Sequence, residues 1–236
     1  MTRIFSPTQL SLFSISRLGA WWEEYDKANR VLSFPEPTEL EKRLMLEGDN
    51  HEKMLMEKFR KEGKSIVDIG NLNLSKEDKF LKTIQFMKEG IDIISQGALK
   101  NKTIRGNADF LYRVEQTSNL GDWSYEPIEC KLSSKSKTTF LIQACCYCDL
   151  LENILGRKPK RFHLYLGGGS ELSDNIFKFS DFEDWYNQLK SQYKQFIDNF
   201  DPDKEPDIFP GNHGKWTTFI EKELSKRKDL SLVVGM

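Results

Sequence analysis

Three charged residues lie in stretches that read as strands and could do chemistry together: Asp109 in RGNADFLYRV, and Glu129 and Lys131 in PIECKLS. Glu129 and Lys131 are two apart, so on a strand both point to one face, and Ile128, Cys130 and Leu132 point to the other, which suits a core. If the two strands pair, Asp109 approaches Glu129. Two carboxylates beside a lysine are costly to bury unless something neutralises them. A hard divalent cation does so, because Mg²⁺ takes oxygen ligands and keeps several waters for a phosphate substrate. The lysine would then orient or deprotonate a water on the metal. Spacing alone fits equally well an exposed edge pair with Asp109 solvated, because so short a pattern is common.

These positions need strands to hold them. Thr103 to Val114 and Glu126 to Leu132 read as strands, preceded by a strand-like stretch from Ile91 to Leu99. A helix follows over 137–155, with Leu141, Cys145, Cys148, Leu151 and Leu155 near one face and Gly156 ending it. RFHLYLG is a further strand, and 175–179 one more. Upstream, Ser6 and Pro7 suit the start of a helix that carries Leu10, Phe13, Leu18, Trp21 and Trp22. FPEPTEL breaks the chain, and Thr38 with Glu41 is a capping-box pattern opening a second helix. Gly48 interrupts its periodicity, and a helix resumes over 51–60. SIVDI is a short strand, and Ser75 caps another helix. Ser180 with Glu183 repeats the capping box and starts a long helix to about Phe200. DPDKEP reads as a linker before a short helix and the tail LSLVVGM. The expectation is an α/β fold: a mixed central sheet flanked by helices, with N- and C-terminal helical additions. The chain reads as one domain over 1–236, with an N-terminal helical part (1–90), a core (91–180) and a C-terminal helix and tail (181–236).

The chain has 236 residues, 35 Lys+Arg against 36 Asp+Glu, and four cysteines. Its net charge of −1 gives no global attraction to nucleic acid but leaves room for a local basic surface. No apolar run approaches the roughly 18 residues of a membrane span. The N-terminal MTRIFSPTQLSLFSISRLG lacks the form of a secretory signal, and four cysteines in a chain this long do not make a disulfide scaffold. A reducing cytoplasm is the expected location.

RGNADF, followed twenty residues after Asp109 by IECK, resembles the PD-(D/E)XK nuclease superfamily. LEGDNHEK, with His51 after a glycine at a helix start, is similar to the first motif of RecB-type nucleases. QACCY, with Gln143 and Tyr147 four apart, resembles the Q-x-x-x-Y motif shared by RecB, AddB and CRISPR-adaptation nucleases. The resemblance runs from about Ser6 to Met236. It implies a restriction-endonuclease-like core. It also implies a Mg²⁺ or Mn²⁺ ion held by His51, Asp109, Glu129 and the backbone carbonyl of Cys130, with Lys131 positioning the attacking water. An imidazole ligand would let Mn²⁺ compete well with Mg²⁺. Gln143 would bond a metal-site group or the substrate, and Tyr147 would contact DNA phosphate or sugar. Both are expected to turn away from the helix's core face.

The chain also departs from that family. Many relatives hold an iron–sulfur cluster with one N-terminal and three C-terminal cysteines. Here Ser16 stands at the first position, and FPGNHGKWTTFIEKEL has no cysteine. Cys130, Cys145, Cys146 and Cys148 cannot supply that shell, so no cluster is expected. Packing of Phe13, Leu18, Trp216, Phe219 and Ile220 is expected to join the first helix to the tail instead. Longer relatives continue into a further nuclease or helicase region, so such a region in trans is a possible partner.

Other features rank lower. RKPKR (157–161) reads as a solvated loop that could touch DNA phosphates. GGGS reads as a flexible turn, Trp21 and Trp22 as core rather than a base-stacking platform, and His163 as structural; His213 has no assigned role. The function expected is a metal-dependent DNA nuclease, more an exonuclease acting on ends or single strands in repair, recombination or defence. The alternative is a non-catalytic nucleic-acid-binding or assembly module that retains the fold.

Overall fold

The computed structural model describes residues 3–29, 36, 38–169, 171–207 and 211–227. Most of the FPEP break and the closing 228–236 lie outside them. The elements run α1 (Pro7–Ile15), α2 (Arg17–Asn29), α3 (Glu39–Lys61), β1 (Ile66–Asp68), α4 (Lys76–Glu89), β2 (Ile93–Lys100), β3 (Arg105–Val114), β4 (Ser124–Lys131), α5 (Thr138–Leu155), β5 (Arg161–Leu166), β6 (Ile176–Lys178), α6 (Glu183–Asp198) and α7 (Thr217–Lys226). Single turns of 3₁₀ helix precede β6, α6 and α7.

The strands form one mixed sheet in sequential order, β1 to β6. The β2–β3, β3–β4 and β5–β6 pairs are antiparallel, and β1–β2 and β4–β5 are parallel. The parallel β4–β5 pair needs a crossover, and α5 supplies it. Leu55, Met56 and Phe59 of α3 cover one face at Ile93, Phe110, Ile128 and Cys130. The other face carries the main core, where Ile94, Leu111, Tyr125 and Leu164 meet α4 and α5. Ile128 and Cys130 thus lie in a core as expected, whereas Leu132 is exposed.

Four expectations need correction. The first helix is two: α1 ends at Ser16, whose extended backbone turns the chain before α2. Gly48 does not interrupt α3, which runs 23 residues from the Thr38–Glu41 capping box. No atom lies near enough to Gly48 to meet an added Cβ, so the residue serves no packing need, and the helix absorbs a propensity cost of about 1 kcal/mol. Ser180 and Glu183 form no capping box, because a 3₁₀ turn over 179–181 places Phe182 at the start of α6. Helix α5 has no solvent face in its middle: all residues from Ala144 to Leu151 are buried between the sheet and the outer helices. Even Asp149 is buried there, accepting bonds from Tyr186 Oη and Lys190 Nζ at 2.9 Å each.

Candidate active site

The β3–β4 ladder pairs Val114 with Ser124 and ends at Phe110 with Ile128. Beyond that point β3 continues beside β2 and β4 continues beside β5. The two strands part, and the gap leaves backbone groups unpaired. Asp109 fills it: its Oδ2 accepts the Cys130 backbone N–H at 2.8 Å. On its other side the β2–β3 ladder pairs Ser95 with Phe110 and Gly97 with Ala108, skipping Gln96 and Asp109. Gln96 has a φ of 51°, the left-handed region that a non-glycine residue seldom adopts. Its side-chain Nε2 donates to Glu52 Oε2 of α3 at 2.8 Å.

Glu129 is 1% exposed. Its Oε1 lies 2.5 Å from Lys131 Nζ, which is also 3.6 Å from Asp109 Oδ2. Its Oε2 is buried and has no hydrogen-bond partner among the described residues. Burial pushes the Glu129 carboxyl up to about 8, with Asp109 adding to the effect and Lys131 only partly offsetting it. Glu52 is pushed up to about 7, by burial first and by Asp109 second. Burial works against the Lys131 ammonium, but Glu129 and Asp109 outweigh it and hold it protonated. Two carboxylates therefore contact one lysine, and the Glu52 carboxyl is near enough to feel Lys131 and to act on Glu129. With all ionised, the cluster would carry surplus negative charge in a poorly hydrated place, and it takes up protons instead.

Among the described residues, no three acidic, histidine or cysteine side chains close on a single point; Lys131 stands between the two strand carboxylates. The donor set nevertheless fits a hard cation. It is rich in oxygen, it would hold excess negative charge once ionised, and Glu129 Oε2 is a buried oxygen with no hydrogen-bond partner among the described residues.

The sequence-derived site residues divide into groups. Asp109, Glu129, Lys131 and the Cys130 backbone come together. His51, on α3 beside Glu52, stacks on Tyr165 with ring centroids 4.5 Å apart, and its Nε2 lies 3.2 Å from the Tyr165 carbonyl oxygen. Its polar contact is to β5, not to Asp109 or Glu129. Tyr147 is only 6% exposed, and its hydroxyl donates to the Asn107 carbonyl at 2.6 Å. The phenol is held up by burial, then by Glu129 and Asp109, which places it close behind the cluster. It braces β3 two residues before Asp109. The expectation that it turns away from the core does not hold. Gln143 lines a separate cleft with Ser11, Leu12 and Lys215.

Glu52 is the residue the sequence reading missed. It follows His51 directly, so the motif that singled out His51 covers it, but a glutamate on a charged helix reads as solvated. The Glu126–His163 pair was also unforeseen: His163 Nε2 meets Glu126 Oε2 at 2.8 Å inside the sheet.

The N- and C-terminal parts meet as expected, around Leu18, Trp216, Ile220 and Leu224, with Trp22 and Phe219 alongside. Phe13 belongs to the main core instead, against Tyr193 and Phe196. At the join, Ser16 Oγ lies 2.6 Å from His213 Nδ1 and accepts the Gly19 backbone N–H at 2.7 Å.

No protein-family model matches the chain, and no curated protein does. No helix among the described residues is long and apolar enough to cross a membrane.

Proposed function

We propose that this chain is a metal-dependent nuclease of the PD-(D/E)XK type, RecB-like, which hydrolyses phosphodiester bonds in DNA. The observation that carries the reading is the cluster of buried Glu129 and partly buried Asp109 around Lys131, with Glu52 nearby on α3 and Glu129 Oε2 without a hydrogen-bond partner among the described residues. It stands at the point where two sheet strands part, and Asp109, Glu129 and Lys131 follow the order of the nuclease motifs.

Asp109, Glu129 and the Cys130 carbonyl would hold Mg²⁺ or Mn²⁺, with Glu52 closing the site from α3. His51, which the resemblance makes a ligand, would have to leave the Tyr165 carbonyl to join them. When bound, the ion supplies Lewis-acid polarisation of the scissile phosphate and an acidified water. The chain's own groups do the rest. Lys131 is held protonated, so its ammonium serves as a hydrogen-bond donor that orients the attacking water and faces the charge developing on phosphate. Asp109 is fixed by the Cys130 N–H, which holds its carboxylate at the point where the β3–β4 ladder ends. Tyr147 and Gln96 are positioning residues: one anchors the β3 backbone, the other aims Glu52.

The test is incubation of labelled linear and circular DNA with the folded protein in Mn²⁺, Mg²⁺ or EDTA. Cleavage that requires the metal and is faster on linear DNA is the expected result. A folded protein that cleaves nothing in either metal would refute the proposal, and DNA binding without cleavage would favour the non-catalytic module.

A further inference from the structure

Helix α3 is 23 residues long, but the residues it buries, Leu55, Met56 and Phe59, all lie in its second half. Over 39–50 every residue is exposed except Gly48, which is partly so. That is about 18 Å of helix, at 1.5 Å per residue, with no core face of its own. It is not a polar arm. Leu40, Leu44, Met45 and Leu46 are each more than half exposed. Leu44, Met45 and Gly48 stand about three turns before Leu55, Met56 and Phe59 and so continue the same face of the helix. The stripe that holds α3 to the sheet therefore runs on into solvent, and a contiguous exposed stripe of this kind marks a contact surface.

The charges beside the stripe complement themselves. At 3.6 residues per turn, Lys42 and Asp49 border it on one side, and Arg43 and Glu47 on the other. Arg43, Glu47 and Asp49 have no hydrogen-bond or ion-pair partner among the described residues, and Lys42 pairs with Glu39 of the same helix at 2.9 Å. Lay a second α3 antiparallel to the first, about a two-fold axis near Met45. Lys42 of each copy then meets Asp49 of the other along one flank, and Arg43 meets Glu47 along the other flank. Each pair occurs twice, as a two-fold interface requires. A parallel arrangement would instead set Lys42 against Lys42 and Glu47 against Glu47, which repel. Gly48 fits the same picture. No atom of the chain comes within reach of a Cβ placed there, so it leaves a hollow one turn from Leu44 that can seat the leucine of a facing helix.

We infer that the first half of α3 is a self-association surface, through which two copies of this chain pair with their α3 helices antiparallel. A partner of one sign would leave two of the four flanking charges facing their like, and a membrane surface calls for cations rather than both signs in equal number. Opposite charges at mirrored positions fit a copy of the same helix. The surface is about three turns long in each copy, below the size of a permanent interface, so pairing is reversible and depends on concentration.

The experiment is sedimentation equilibrium of the full chain from about 1 to 100 μM, the weak range of association. Wild type should pass from monomer towards dimer over that range, and less so in about 1 M salt, where charges are screened beyond about 3 Å. Leu44→Glu should weaken association at least about tenfold. Two double variants test the charge pattern: Lys42→Glu with Arg43→Glu, and Glu47→Lys with Asp49→Lys. Each should be monomeric alone, and the two should associate when mixed, because the mixture restores an opposite charge at every pair. All five positions are exposed, and circular dichroism checks that each variant is folded. Wild type that stays monomeric throughout, Leu44→Glu that associates as wild type does, or double variants that associate no better mixed than alone would each overturn the inference. A monomeric wild type that sediments with phosphatidylglycerol vesicles would overturn it too, and would give the stripe to a membrane surface.

Discussion

Asp109 Oδ2 accepts the backbone N–H of Cys130 at 2.8 Å, where β3 and β4 cease to pair. A side chain thus bridges two inner strands where their ladder ends. The same bond fixes a carboxylate beside Lys131 and next to Glu129, so the local fold and the candidate chemistry share one group.

Glu129 makes apo-protein stability depend on pH. Its carboxyl is raised to about 8 and that of Glu52 to about 7, both above the ordinary 4.5. Between 4.5 and 8 the folded protein therefore binds more protons than the unfolded chain, and stability falls as pH rises through that window. Urea unfolding in EDTA from pH 5 to 9 should show this fall, and Glu129→Gln should flatten it and be the more stable protein at the alkaline end. An unchanged slope in Glu129→Gln would contradict the assignment.

Cation binding should release protons, since protonated carboxyls must ionise to accept the metal. Calorimetric Mn²⁺ titrations in two buffers of different ionisation enthalpy count those protons. Glu52→Gln should release fewer and bind Mn²⁺ about 10–100-fold more weakly. Wild-type affinity in this variant would remove Glu52 from the site.

Lys131→Met separates binding from chemistry. Loss of the ammonium should lower the cleavage rate about 10²- to 10³-fold. Mn²⁺ binding should be kept or tightened, because a cation that competes for Glu129 and Asp109 is gone. A variant that no longer binds Mn²⁺ although folded would contradict this division of roles.

Ser16 and His213 hold the two ends of the chain together from 197 positions apart. Both are buried, so Ser16→Ala leaves His213 Nδ1 and the Gly19 N–H without this partner, at a cost of about 1–3 kcal/mol. Urea unfolding measures it, and a loss well below 1 kcal/mol would argue against the clamp. The purified protein should also be colourless and free of iron, since all four cysteines lie in β4 and α5.

Much of the fold was legible where the signal is local. Thr38 with Glu41 caps α3 as its spacing indicates, and Gly156 ends α5 with a φ of 75°. Alternation along PIECK placed Glu129 and Lys131 on one face. What was not legible depends on partners distant in sequence. Tyr147 is buried because it reaches β3, where its hydroxyl meets the Asn107 carbonyl and its ring lies beside Gly106, and a polar tip on a helix does not reveal that neighbour. Glu52 looks like any surface glutamate until Gln96 and Asp109 come to meet it. Ser16 marked a missing thiolate in the sequence; its pairing with His213 required the fold.

The central claim, that the Glu52–Asp109–Glu129–Lys131 cluster is a cation-dependent hydrolytic site, is tested most directly by cleavage of an end-labelled single-stranded oligonucleotide. Wild type and Glu129→Gln are compared in Mn²⁺ and in EDTA, each shown to be folded. The account predicts shortening of the label by wild type in Mn²⁺ alone, and none by Glu129→Gln under either condition. Cleavage that survives EDTA, or that Glu129→Gln performs as well as wild type, would contradict it.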